Sequence, residues 1–140
     1  MEYKDLFDYQ KPTAQMLGRW QPWHLGHTAL FKKALEVTGQ VAIMVRDVHN
    51  INGDAGAGRT AEQTDNPFGE ISVIEQIESN LANEGYYNGD QYIIICVPNI
   101  VDISYGRGVG YTFTEHDLGK DIHEISATKI RAQLREDGKL

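Results

Sequence analysis

The run Gly18-Arg19-Trp20-Gln21-Pro22-Trp23-His24-Leu25-Gly26-His27 concentrates more chemistry than any other stretch of the chain. His24 and His27 stand three residues apart, a spacing that puts both rings on one face of a first helical turn. Each imidazole can donate a ring N–H to a phosphate oxygen. A helix N-terminus adds unpaired backbone N–H groups and a partial positive charge, so it attracts anions. Gly26, with no side chain, lets a ligand approach the helix closely. Two other readings stay open. The histidines could be ordinary surface or core residues, or they could form a zinc pair, although His49, His116 and His123 are distant in sequence as third ligands.

A second pattern, Ile125-Ser126-Ala127-Thr128-Lys129-Ile130-Arg131, opens the last helix of the sequence. Ser126 and Thr128 can present hydroxyls and backbone N–H groups to a phosphate, and Lys129 and Arg131 add positive charge. The plainer reading is a capped amphipathic helix, with Ser126 as N-cap and Ile125 and Ile130 in the core. Arg46 could grip a phosphate and Asp47 a metal or a ribose. Arg107, in Tyr105-Gly106-Arg107-Gly108-Val109-Gly110-Tyr111, could grip a phosphate from a Gly-rich loop. That loop reads G-x-G-x-G, not the dinucleotide fingerprint G-x-G-x-x-G.

The elements that must position these groups follow from apolar patterning. Ala14 to Gly18, Val41 to Val45 and Tyr92 to Val97 are short apolar runs suited to buried parallel strands. His24 to Val37 reads as a helix with Leu25, Thr28, Ala29, Phe31, Ala34 and Leu35 inward, stopped by Gly39. A second helix is expected from Asn66 as N-cap and Pro67 to about Glu84, with Ile71, Ile74, Ile77 and Leu81 on one face. Asp47 to Thr64 is a long Gly-containing loop, and Tyr111 to Thr114 is a candidate short strand. A closing helix spans Ala127 to about Asp137. Alternation of strands and helices predicts one α/β, Rossmann-like domain over residues 1–140, a parallel sheet with helices on both faces. Ligands of such sheets bind outside the carboxyl ends of the strands, where the first turn lies.

Composition narrows the function classes. The chain has 140 residues and a formal net charge of −7, which argues against coating a nucleic acid. No apolar run approaches the ~20 residues of a membrane helix. The first ten residues lack the apolar stretch of a secretion signal. Cys96 is the single cysteine, expected as a buried small residue, and a cytoplasmic location is expected with it.

The pair of motifs, G-x-x-x-P-x-H-x-G-H early and I-S-x-T-x-I-R late, resembles the nucleotidylyltransferase superfamily, with cytidylyltransferase and adenylyltransferase members. The likeness extends from about Ala14 to Leu134. It implies that His24 and His27 are catalytic and contact a triphosphate. It further implies that Gly18, Arg19, Trp20 and Gly26 lie beside the nucleotide. Ser126 and Thr128 would bind its outer phosphates, with Arg131 near them. The reaction implied is attack by an acceptor phosphate on the α-phosphorus, assisted by Mg²⁺, with release of pyrophosphate. The partners implied are ATP or CTP and a small phosphomonoester. Many relatives of the superfamily form dimers or larger assemblies, so a homo-oligomer is a further implication. Asn66-Pro67-Phe68 resembles a helix-opening segment of the archaeal adenylyltransferases. A catalytically silent nucleotide sensor of the same fold is the alternative.

Overall fold

A computed structural model describes residues 6–51, 66–108, 110–119 and 127–139. The element order is β1 (Ala14–Gly18), α1 (Leu25–Thr38), β2 (Val41–Arg46), α2 (Glu70–Ala82), β3 (Tyr92–Val97) and α3 (Ala127–Glu136). The three strands form one parallel sheet in the order β1-β2-β3. Ala14 pairs with Val41, and Val41 with Tyr92, so the strands run in step. The chain adopts the α/β, Rossmann-like fold with a parallel sheet expected from the sequence, with α1 and α2 packed together on one face of that sheet rather than one on each.

The register decides which side chains make the core. Successive residues of a strand point to opposite faces. Met16, Val41, Ile43, Val45 and Tyr92 therefore share one face, and there they join Phe31 and Ala34 of α1 and Val73, Ile77 and Leu81 of α2 in a single buried cluster. Two right-handed crossovers that step in the same direction across a sheet place both helices on the same face. Phe31 fixes the contact, meeting the rings of Tyr86 and Tyr92 edge-on at 5.2 and 5.7 Å. On the other face Leu17, Met44, Ile93, Ile95 and Val97 are half-buried.

Two helix starts depart from the sequence expectation. His24 is the N-cap of α1 rather than a member of it, with extended backbone, and Leu25 is largely exposed. Gly39 ends α1 as expected, at φ 84°. Asn66 does not cap α2. The helix begins four residues later, behind Gly69, and buries the Val73, Ile77, Leu81 stripe while Ile71 is 75% exposed. Asn66 is instead fully buried, its side chain donating to the Ile51 carbonyl at 2.6 Å. Tyr111 to Thr114 does not join the sheet, and its side chains face water. Cys96 is exposed, not buried. Partial burial holds its thiol above the usual value, with the Glu70 and Asp47 carboxylates adding to this, so it stays protonated at neutral pH.

Candidate active site

The turn from β1 to α1 lies at the carboxyl end of the sheet, and its side chains are unusually well buried for a turn. Trp20, Gln21, Pro22 and Trp23 are all inside. Trp20 adopts a left-handed backbone, φ 53°, which a bulky residue rarely does. Such a conformation costs on the order of 1–3 kcal/mol and persists only where the surroundings over-determine it. Here they do. The indole N–H donates to the Met44 carbonyl at 3.0 Å, and the ring packs on Trp23. Gly18 makes the space, because a Cβ there would stand 2.8 Å from the indole carbons. The glycine at the strand end thus serves Trp20.

The two histidines are arranged by the helix they open. The Gly26 N–H donates to His24 Nδ1 at 3.0 Å, and the His24 N–H donates to His27 Nδ1 at 3.1 Å. This is a reciprocal capping box built from imidazoles rather than from hydroxyl and carboxylate. Both Nδ1 atoms accept, so in each neutral ring the proton sits on Nε2. The rings stack at 3.7 Å, and Trp20 and Trp23 pack against His27. Burial lowers the pKa of His24, and burial plus the neighbouring His24 pushes that of His27 down to about 3. At neutral pH the site therefore holds two neutral imidazoles, each with an Nε2–H to give. The first turn of α1 carries no acidic residue, so its partial positive charge is not offset locally.

A small cleft of about 150 Å³ is lined by Gly18, Arg19, Trp20, Gln21, His27 and Arg131. It suits a phosphate-sized group, since whole small-molecule ligands occupy roughly 300–1,000 Å³. The structure thus gathers five residues singled out by sequence: Gly18, Arg19, Trp20, His27 and Arg131. His24 joins them through the stacked rings, and Gly26 through its amide. Arg131 crosses from α3, 4% exposed, to donate to the Gln21 carbonyl at 2.6 Å. Arg19 donates to Asn66 Oδ1 at 3.3 Å.

Four other candidates do not line this cleft. Arg46 ends β2 and donates to Asn99 Oδ1 at 2.7 Å, and among the described residues its buried Nε has no hydrogen-bond acceptor. Asp47 follows it and is exposed, its backbone N–H bonded to the Val97 carbonyl. Arg107 and Lys129 are exposed. Ser126 and the side chain of Thr128 lie outside the described residues. Gln21, inside the first motif, and Asn66, expected only at a helix start, also build the site through their side-chain bonds, a role that no local pattern marks.

A larger cleft, about 560 Å³, opens at the opposite end of the sheet beside Lys11, Gln40 and Gln91. Its buried polar side chain, Gln40, is already engaged with Asp8 and Thr13. It has neither the imidazole pair nor a helix N-terminus, so the smaller cleft is the candidate site.

Compared with known proteins, the chain matches no family model, and no curated protein is significantly similar to it. No helix among the described residues is long and apolar enough to cross a membrane.

Proposed function

We propose that the chain is a nucleotidylyltransferase that moves AMP or CMP from the triphosphate to a small phosphomonoester. The observation that carries this reading is the neutral imidazole pair at the α1 N-terminus, beside a phosphate-sized cleft flanked by Arg19 and Arg131. An oxygen of the acceptor phosphate attacks the α-phosphorus in line. The bond from that phosphorus to the bridging oxygen breaks, and pyrophosphate leaves with the electron pair. No protein nucleophile is required, since phosphoryl chemistry of this kind rests on positioning and charge stabilisation. His24 and His27 donate from Nε2 to the oxygens on which charge grows, and they need no ionisation to do so. Arg131 and Arg19 supply fixed positive charge close by.

Mg²⁺ fits this chemistry as a companion of the nucleotide. It is held in such sites by one or two carboxylates together with substrate phosphates, so it needs no cage of protein ligands. Asp47, exposed at the end of β2, is the carboxylate that would assist. Bound there, the ion would neutralise phosphate charge.

The test is a matrix of four nucleoside triphosphates against a panel of phosphomonoesters with Mg²⁺, read by pyrophosphate release. Release that requires both substrates is expected. Micromolar triphosphate binding without pyrophosphate from any acceptor would favour the sensor reading. Absence of triphosphate binding would remove the proposal altogether.

A further inference from the structure

Gln21 is 4% exposed and joins three separate pieces of chain. Its Nε2 donates to the Phe68 carbonyl at 2.8 Å, and its Oε1 accepts from the Phe68 N–H at 2.9 Å. One amide therefore occupies both backbone groups of one residue, ahead of α2. Its own carbonyl accepts from Arg131 of α3. A parallel tie runs beside it, from Arg19 to Asn66 and on to Ile51. The segment 66–68 is thus held against the first turn by two neighbouring side chains, and both of those residues line the cleft. The histidine rings are held by their own reciprocal cap and by Trp20 and Trp23.

We infer that Gln21 is a positioning residue that sets the walls of the phosphate cleft, the 66–68 segment on one side and Arg131 on the other. The inference rests on the nucleotide reading above. It assigns Gln21 to binding and the histidines to turnover. Loss of the Gln21 clasp should weaken triphosphate binding, read as a raised triphosphate KM and a lower direct affinity.

Q21E makes the decisive variant, because its chemistry depends on pH. As a carboxylate, the new side chain can still accept from the Phe68 N–H but opposes the Phe68 carbonyl. Protonated, it regains a donor and restores both bonds, and burial raises the pH at which that happens. Affinity is read by the fluorescence of Trp20 and Trp23, the only tryptophans, which flank His27. The probes are Mg-ATP and Mg-CTP, with the wild-type profile correcting for titration of the nucleotide itself. Near pH 8 the affinity of Q21E should be about tenfold weaker than wild type, and it should recover toward about pH 5.5. Thermal stability is followed alongside. A Tm that recovers on acidification while affinity stays at the wild-type value throughout would make Gln21 a fold residue only, and overturn the inference with the nucleotide reading intact. Wild-type protein that binds neither nucleotide would overturn both. Should Q21E not fold at the higher pH, hydrogen exchange at the Phe68 amide of wild type decides. Slower exchange with nucleotide bound supports the inference, and an unchanged rate overturns it.

Discussion

The turn at residues 18–28 and the stretch at residues 98–119 both follow strands, yet they are built in opposite ways. In the first, Trp20, Gln21, Pro22 and Trp23 are buried, and the side-chain polar groups of Trp20, Gln21 and Trp23 are bonded to named backbone or side-chain partners. In the second, Val101, Tyr111 and Phe113 are 83, 68 and 65% exposed, and no residue described there is buried. Packing dictates the first region, so its geometry exists before any ligand arrives. The second region has no such packing to hold its side chains, so any ligand that fixes them does so at an entropic cost. Substitutions should therefore act differently in the two. Changes in the turn should cost stability together with turnover or triphosphate binding, and changes in the later stretch should cost acceptor binding alone.

The strongest test lies at the histidines. His24→Ala and His27→Ala should each lower kcat by roughly 10²–10³, the cost of removing one donor aimed at developing charge, about 2.7–4 kcal/mol. Each also breaks the reciprocal cap, so the folded state should weaken by about 1 kcal/mol. Steady-state kinetics with chemical denaturation on the same samples checks both. Wild-type kcat in either variant would remove that histidine from the chemistry.

The pH dependence of stability comes next. The pKa of His27 is lowered on folding from the ordinary 6.5 to about 3. Between these values the unfolded chain binds a proton that the folded chain does not, so acid favours unfolding. The stability conferred by the neutral ring is complete above pH 6.5 and is lost as pH falls toward 3. The loss reaches roughly 2–4 kcal/mol over that window. His27→Gln should flatten this slope relative to wild type, as read by Tm against pH. Equal slopes would mean that the ring is not held neutral, and the preorganised picture of the turn would break there. In catalysis the same neutrality predicts no loss of kcat across pH 6.5 to 8.

Gly18→Ala sharpens the contrast from the packing side. The added methyl would lie 2.8–2.9 Å from the Trp20 ring. Overpacking of this kind costs about 1–3 kcal/mol. Thermal unfolding should show the cost, and tryptophan fluorescence should show the displaced indole. Unchanged values for both would mean that the turn yields more easily than its packing suggests.

The sequence announced some of this and concealed the rest, for physical reasons. Apolar runs located all three strands, and Gly39 located the end of α1, because burial and left-handed caps leave local marks. The helical face of α2 was ambiguous. Ile77 and Leu81 belong to two overlapping stripes, one continuing through Ile71 and Ile74 and the other through Val73, and only packing against the sheet selects the second. Cys96 misled because a strand in a parallel sheet reads apolar throughout, whichever residues pass beyond the covering helices. His24 and His27 were legible as a pair but not as a cap, since imidazole is an unusual capping group. The roles of Gln21 and Asn66 depend on partners 47 residues away, Phe68 and Arg19, and no local pattern encodes such contacts.

The smallest expected effect belongs to Arg107, which stands exposed in the later stretch. Its removal should alter stability by less than about 0.5 kcal/mol, as for surface positions generally. If this side chain grips the acceptor phosphate, Arg107→Ala should raise the acceptor KM a few-fold and leave the triphosphate KM unchanged. The effect should shrink in high salt, because an exposed charge is screened within about 10 Å at 0.1 M ionic strength. Three measurements separate the cases: Tm, acceptor KM at low ionic strength, and acceptor KM at high ionic strength. A Tm lower by several degrees would show that this stretch carries structural weight after all, and the contrast with the turn would fail. An unchanged acceptor KM at low salt would take Arg107 out of the site, leaving Arg46, whose buried Nε has no acceptor among the described residues, as the cation to test next.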